Sequence, residues 1–176
     1  MVAAQVAQQH PAVRWWCPQL PPSPAQAMAL VMQGIANWPR AQMAVVGSSL
    51  GGFYATCVAA RTGCRAALLN PAVHPSRDLA RHLGVQTGWH DAQQRFEFTA
   101  AHVQELLQLE AESAQALRAQ PEHCFALIAQ GDELLDWREM TGRYPGCTLR
   151  LLEGSDHAIS DFAEHIGALM AFLRLA

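Results

Sequence analysis

A glycine-rich stretch between an apolar run and a helix-forming run constrains this chain more than any other feature. Residues 45–52 read Val-Val-Gly-Ser-Ser-Leu-Gly-Gly, and they contain the pattern Gly-x-Ser-x-Gly. This pattern marks a sharp turn from a strand into a helix, with a nucleophilic serine at the turn. Glycines stand two positions before and after Ser49, whereas valine and leucine hold those positions around Ser48. The spacing predicts Ser49 as the nucleophile and predicts that Gly47 and Gly51 have no room for a Cβ atom.

The residue that follows the serine adds a second element of the same chemistry. Leu50 lies just before the predicted helix, whose helix-forming run begins at Phe53, so its N–H lies beside the positive end of the helix dipole. An N–H group in this position can stabilise the negative oxygen that forms when a serine attacks a carbonyl group. We therefore predict that Leu50 is an oxyanion donor.

The composition excludes several other classes of protein. The chain has no lysine among its twelve basic residues, so it carries neither the lysine of a phosphate-binding P-loop nor one for Schiff-base chemistry. Ser49 also replaces the middle glycine of a dinucleotide-binding motif. A net charge of −3 without a basic cluster argues against nucleic acid. Five scattered cysteines without a Cys-x-x-Cys pair predict neither disulfides nor a metal site, and we expect no cofactor.

The length and the apolar pattern indicate where the protein resides and how many domains it has. The 176 residues suit one domain. The longest apolar runs are too short to span a membrane. The first ten residues contain three glutamines and neither lysine nor arginine, which is not typical of a signal peptide. We therefore expect a cytoplasmic protein with no membrane partner.

Short apolar runs alternate with helix-forming segments along the chain. This alternation predicts an α/β fold with a mainly parallel sheet flanked by helices. The predicted strands are 13–17, 42–46, 65–69, 124–129 and 148–152, and the predicted helices begin near residues 2, 24, 53, 76, 100, 112, 135 and 162. The segment 74–120 interrupts the alternation and is long enough to form a helical cap over the strand ends. Within it, residues 84–98 are expected to be irregular.

Three reactive side chains follow predicted strands, and ligands bind at the carboxyl ends of strands in open α/β sheets. They are Ser49, Asp132 and His157. A serine hydroxyl needs a base such as imidazole, and the imidazole needs a carboxylate on its other nitrogen. The chain order Ser, Asp, His is that of the α/β-hydrolases. Of the other seven histidines, only His74 follows a strand end closely enough to be an alternative base.

The identity of the acid is less constrained, because four acidic residues that follow the last two strands are candidates. Asp132 is favoured because it stands directly at a strand end and is followed by a short apolar run, while Asp136 is the alternative. We expect Glu133 to point to solvent and Asp156 to brace the loop rather than the imidazole.

Five stretches carry a resemblance to a known family. They are Pro-Gln-Leu-Pro-Pro at 18–22, Val-Gly-Ser-Ser-Leu-Gly-Gly-Phe-Tyr-Ala-Thr at 46–56, Asn-Pro-Ala-Val at 70–73, Gln-Gly-Asp-Glu-Leu-Leu-Asp at 130–136 and Ser-Asp-His-Ala at 155–158. With these the sequence resembles the YqiA-type esterases, small bacterial α/β-hydrolases, from about residue 10 onward. The resemblance implies hydrolysis of esters, including acyl thioesters, with Ser49, Asp132 and His157 as the catalytic triad.

The sequence departs from the YqiA-type pattern at its start. Members of the family begin with a strand that ends in His-Gly-Phe, and the loop after it supplies a second oxyanion donor. No counterpart precedes residue 10, so we expect a sheet that lacks this first strand, which would lie between 13–17 and 42–46. Loss of one oxyanion donor costs about 100- to 1,000-fold in rate.

Three hypotheses about function follow from the sequence. The first is a serine esterase or thioesterase that acts on a small-molecule ester. The second is a non-catalytic or weakly active hydrolase remnant that binds apolar acyl ligands. The third, suggested by the aromatic residues of 89–98, is a lid-dependent binding protein for small apolar molecules, and the predicted triad argues against it.

Overall fold

The fold is built around a four-stranded parallel sheet whose strands pair in the order Ala44–Ser48, Arg65–Leu69, Cys124–Ala129 and Thr148–Leu152. The computed structural model describes residues 1–87, 93, 95–114 and 120–175. The four strands are β1 (Ala44–Ser48), β2 (Arg65–Leu69), β5 (Cys124–Ala129) and β6 (Thr148–Leu152). Because the strands are parallel, their carboxyl ends meet at one edge of the sheet. The predicted fold class is confirmed, and β2, β5 and β6 have the predicted bounds.

The apolar runs of the two central strands follow from burial on both faces of the sheet. In β2, Leu68 faces one apolar cluster and Ala67 the other. In β5, every residue is buried, with Ala126 on the first face and Leu127 on the second. The strand predicted at 42–46 is displaced by two residues, since β1 begins at Ala44 and ends at Ser48. It is half-exposed, because among the described residues it pairs only with β2.

Seven helices are described. They are α1 (Val2–Gln9), α2 (Pro24–Gly34), α3 (Leu50–Thr62), α4 (Pro75–Leu79), α5 (Ala100–Ser113), α6 (Trp137–Arg143) and α7 (Phe162–Leu173), with short 3₁₀ turns at Arg40–Gln42, Ala80–His82 and Pro121–His123. A separate helix was predicted to begin near residue 112, but residues 112 and 113 belong to α5. Residues 115–119 lie outside the described residues. Helices α1 and α7 contribute to the apolar cluster on one face of the sheet, and α3 and α6 to the cluster on the other.

Side chains at the helix ends explain several of these bounds. The Ser23 hydroxyl accepts a hydrogen bond from the Gln26 N–H at 3.2 Å and caps α2. The Thr99 hydroxyl accepts one from the His102 N–H and caps α5 in the same way. Gly63 ends α3 in the left-handed conformation (φ 73°) that favours glycine. These local signals are present in the sequence, so the corresponding helices were predictable.

The predicted strand at 13–17 is wrong, because these residues form no strand in the structure. The Trp16 ring instead packs on α2, where a Cβ added at Gly34 would lie 2.1 Å from it. The centroid of the Trp16 ring lies 6.4 Å from the centroid of the Trp38 ring. The Trp16 side chain therefore contacts a helix and the segment that follows it, and the backbone of 13–17 does not join the sheet.

The segment 84–98 also differs from the prediction, because its described ends form an antiparallel hairpin. Strand β3 (Gly84–Thr87) pairs with β4 (Arg95–Phe98). In β4, polar and aromatic residues alternate, and Phe98 packs into the cluster that α2, α3 and α5 share. The aromatic Trp89 lies outside the described residues. The described part of the segment 74–120 thus contains two α-helices and a pair of antiparallel strands, and the role of the segment as a cap stays a prediction.

No helix within the described part of the chain combines the length and the apolar character that crossing a membrane requires.

Candidate active site

Ser49 stands at the turn between β1 and α3 in a backbone conformation that is rare for a residue with a side chain. Its φ is 53° and its ψ is −124°, and such a conformation costs on the order of 1–3 kcal/mol and persists only where surrounding contacts impose it. Those contacts are present on both sides of the residue. The Ser49 N–H donates to Leu69 O at 2.9 Å, and the Ser49 carbonyl accepts from the N–H groups of Gly52 and Ala72 at 2.9 and 3.0 Å.

The glycines around Ser49 have different steric roles. A Cβ added at Gly47 would lie 2.1 Å from the carbonyl oxygen of Gly51, and one added at Gly52 would lie 2.8 Å from Pro71 Cβ. A Cβ added at Gly51 would have no neighbour within 4 Å. The prediction that the turn excludes a side chain at Gly47 is confirmed. The same prediction for Gly51 is wrong, and the second position without room is Gly52.

These contacts predict opposite effects of alanine at two adjacent glycines. Gly51→Ala should leave the free energy of unfolding unchanged or raise it by about 0.5–1 kcal/mol, because alanine is the better helix former. Gly52→Ala should lower it by roughly 1–3 kcal/mol, because the new methyl group overlaps Pro71. Urea unfolding of the two variants and the wild type measures both values. If Gly51→Ala is the more destabilised, the turn is packed differently from this description.

His157 lies in the loop after β6, and its imidazole joins the other two predicted residues. Its Nε2 lies 2.9 Å from Ser49 Oγ, and its Nδ1 lies 2.8 Å and 3.0 Å from the two carboxylate oxygens of Asp132. The alternative base, His74, is exposed at the start of α4 and makes no hydrogen bond to Ser49. The structure thus brings Ser49, Asp132 and His157 into one hydrogen-bonded series.

The Asp132 carboxylate is inaccessible to solvent and is held by the backbone that follows it. Its side chain is 0% exposed, against 18% for His157. Its Oδ1 accepts hydrogen bonds from the N–H groups of Leu134 and Leu135 at 2.8 and 2.9 Å. These bonds fix the carboxylate at the end of β5, with both oxygens within reach of the imidazole.

The other three acidic candidates have different partners. Asp136 caps α6 by accepting from the Arg138 N–H at 2.9 Å. Asp156 accepts from the hydroxyl and N–H of Ser160 within the loop that carries the base, as expected, and these bonds lower the pKa of its carboxyl. Glu133 does not only face solvent: its Oε2 accepts from the His157 N–H at 3.0 Å, which lowers the pKa of Glu133.

Leu50 is the first residue of α3, which begins three residues before the predicted start at Phe53. Within the described part of the chain, no backbone hydrogen bond from the Leu50 N–H is found, and the N–H groups that bind the Ser49 carbonyl are those of Gly52, Phe53 and Ala72. The role of Leu50 as an oxyanion donor stays a prediction.

The described residues contain no cluster of three or more His, Cys, Asp or Glu side chains that could hold a metal ion. The side chains gathered at the strand ends are instead a hydroxyl, an imidazole and a carboxylate in series, and this set can transfer a proton without a metal.

Two residues near the site could not be assigned a role from the sequence. Asn70 at the end of β2 contacts the backbone of the His157 loop. Gly131 precedes the acid, and a Cβ added there would lie 2.1 Å from Ser155 O, so the acid loop and the base loop approach each other closely. The only sequence signals were the residue types, asparagine and glycine, which tolerate unusual turns.

Comparison with known proteins decides the family. A family model described as "Uncharacterised protein family (UPF0227)" matches residues 1–174. The chain belongs to this family. UPF0227 is the family of the YqiA-like esterases, so the resemblance carried by the five stretches is confirmed.

Solved structures similar to this UPF0227 protein have the α/β-hydrolase fold. A structure reported for the metagenome-derived lipolytic enzymes LipS and LipT has a TM-score of 0.62 at 16% identity, covering 88% of this chain and 74% of that one. Est1E from Butyrivibrio proteoclasticus with bound ferulic acid has a TM-score of 0.61 at 14% identity, covering 86% and 68%. An alpha/beta superfamily hydrolase from Oenococcus oeni PSU-1 gives 0.58 at 13%, covering 89% and 76%.

Proposed function

We propose that this protein is a serine esterase or thioesterase that hydrolyses small carboxylic or acyl esters through an acyl-enzyme. One observation carries the proposal: a hydrogen-bonded series runs from the buried Asp132 carboxylate through the His157 imidazole to the Ser49 hydroxyl. Membership of a family of YqiA-like esterases supports it. The residues in this series have the roles that acyl transfer requires.

The contacts of His157 set the direction of proton transfer. Its Nδ1 faces both oxygens of a carboxylate that can only accept hydrogen bonds, so the ring proton resides on Nδ1. The lone pair of Nε2 is then directed at the Ser49 hydroxyl, 2.9 Å away. When Ser49 Oγ attacks the carbonyl carbon of an ester, Nε2 takes the hydroxyl proton, and Asp132 stabilises the resulting imidazolium.

The start of α3 stabilises the negative charge that develops on the substrate. As the Oγ–C bond forms, the carbonyl oxygen becomes an oxyanion, and the Leu50 N–H beside the positive end of the helix stabilises it. The imidazolium then returns its proton to the alcohol or thiol as the C–O or C–S bond breaks. Water repeats the attack on the acyl-enzyme with His157 again as the base, and this step releases the carboxylic acid.

A serine-directed probe and an ester substrate test this proposal together. Purified protein should hydrolyse a short-chain aryl ester such as p-nitrophenyl acetate. It should also react with a fluorophosphonate, and peptide mass spectrometry should locate the adduct on Ser49. A folded protein that neither turns over the ester nor reacts with the probe would contradict the proposal and favour the remnant that binds acyl ligands, which an apolar acyl-chain binding assay then measures.

A further inference from the structure

A fully buried asparagine stands where the elements that carry the three site residues meet. Asn70 is 0% exposed and directly follows β2, the strand between β1 and β5. Burying a polar side chain is costly unless its hydrogen bonds are satisfied. Its contacts therefore indicate what this position is built to hold.

Both ends of the Asn70 amide are used, and each binds a different part of the site. The side-chain oxygen Oδ1 accepts from the Ala129 N–H at 2.8 Å, at the last residue of β5 and three residues before the acid. The side-chain nitrogen Nδ2 donates to the backbone carbonyls of Asp156 and His157 at 3.0 and 3.1 Å. One side chain therefore bonds the strand that carries Asp132 to the loop that carries His157.

The backbone of Asn70 connects the same turn to the nucleophile. Its φ of 39° lies in the left-handed region, which asparagine tolerates better than most residues. The Asn70 N–H donates to Leu127 O at 3.0 Å, and two residues later the Ala72 N–H donates to the Ser49 carbonyl at 3.0 Å. The turn after β2 is thus bonded to the segments of all three site residues.

The loop that carries His157 depends on such bonds because it has no regular structure of its own. Ser155 and Ile159 both have positive φ, at 66° and 52°, and the backbone bonds of the loop are only single turns and one contact to the acid loop, from the Gly131 N–H to Gly154 O at 3.4 Å. Glu133 holds the His157 N–H from the exposed side. From the buried side, Asn70 holds the carbonyl of the same residue.

We propose that Asn70 is a positioning residue that holds the His157 imidazole in line with Ser49 and Asp132 by binding the backbone of the base. The inference rests on the proposed function for its effect on catalysis, while its geometric part concerns the His157–Asp132 hydrogen bond alone. A displacement of about 1 Å in a reacting group can cost about 100-fold in rate. Asn70 does not touch the reacting atoms, so its loss should act on kcat and leave KM nearly unchanged.

Two variants separate positioning from general stability. Asn70→Asp keeps the shape and an acceptor for the Ala129 N–H but replaces the donor to both carbonyls with an acceptor. Asn70→Gly fits the left-handed backbone and removes every side-chain bond, so it serves where the aspartate variant does not fold. The control is Tyr144→Phe, which removes a buried hydroxyl that lies 3.0 Å from Thr56 Oγ1 and bonds none of the three site residues.

Three measurements are made on each protein: kcat and KM for the aryl ester, the unfolding midpoint, and the downfield proton resonance of His157 Nδ1 hydrogen-bonded to Asp132. Both Asn70 variants should lose about 10- to 100-fold in kcat with KM within about twofold, and the resonance should broaden or vanish. Tyr144→Phe should lower the midpoint but keep kcat and the resonance.

Unchanged kcat and an unchanged resonance in folded Asn70 variants would overturn the inference, even if the midpoint falls. Failure of the proposed function gives a different result: the wild type would show no turnover while its resonance is present. In that case the resonance alone tests whether Asn70 positions His157. Loss of the resonance in both Asn70 variants still supports the inference, and its persistence refutes the inference.

Discussion

Replacing Ser49 with alanine should abolish ester hydrolysis, with a loss on the order of 10⁶-fold in kcat if the triad works as a unit. The reason is the hydrogen bond between Ser49 Oγ and His157 Nε2 at 2.9 Å, which no other hydroxyl makes within the described part of the chain. Without Oγ no acyl-enzyme forms, and only background hydrolysis remains. Steady-state kinetics with an aryl ester measures the loss, and the fluorophosphonate probe should no longer react.

Ser48→Ala is the matched control, because it removes the same group one residue earlier. Ser48 is the last residue of β1 and is exposed, so its hydroxyl is replaced at little cost in packing. This variant should keep kcat within about threefold of the wild type, since surface substitutions away from special contacts change little. If Ser48→Ala were inactive and Ser49→Ala active, the nucleophile would have been assigned in the wrong frame.

The turn between β1 and α3 that carries Ser49 was predictable, because its signals lie close together in the sequence. The apolar run of β1, the glycine spacing and the helix-forming run of α3 occupy residues 44–62 without interruption. The steric need for glycine at position 52 was not predictable, because it arises from contact with Pro71. The rest of α3 and the strand β2 lie between these two residues in the sequence. Contacts between distant segments do not appear in a local pattern.

The failure at residues 13–17 has the same physical origin. Val-Arg-Trp-Trp-Cys has strong strand propensity, but a strand also requires a neighbour with which to exchange backbone hydrogen bonds. In the structure the Trp16 ring packs on Gly34 of α2 instead. Propensity indicated an extended backbone but is independent of whether a partner strand is present, and the strand expected beside 13–17 is the one that the sequence was predicted to lack.

The triad residues could be proposed from the sequence, but the residues that hold them could not. Strand ends and residue chemistry suffice to select Ser49, Asp132 and His157. The side-chain hydrogen bonds of Asn70 join residues that are 59 to 87 positions apart in the chain. The residues adjacent to Asn70 in the sequence do not indicate them. Tertiary structure is needed to see that a buried amide after β2 bonds to the backbone of the base.

Asp132→Asn should lower kcat by about 10⁴-fold while the protein remains folded, because it places the imidazole in the wrong tautomer. The N–H groups of Leu134 and Leu135 both donate to Oδ1 of the acid, so in the variant they hold the amide oxygen. The amide NH₂ must then face His157 Nδ1, which can only accept that bond if its proton moves to Nε2. A protonated Nε2 cannot take the Ser49 proton. Aryl-ester kinetics measures the loss.

Asp136→Asn provides the matched control for the charge and the size of the change. Asp136 caps α6 through its Oδ1 and the Arg138 N–H, and asparagine caps helices about as well as aspartate. The variant should therefore keep kcat within about threefold and lose little stability. Because Asp136 was the alternative acid in the sequence, the pair also decides the assignment: a larger loss in Asp136→Asn than in Asp132→Asn would move the acid to Asp136.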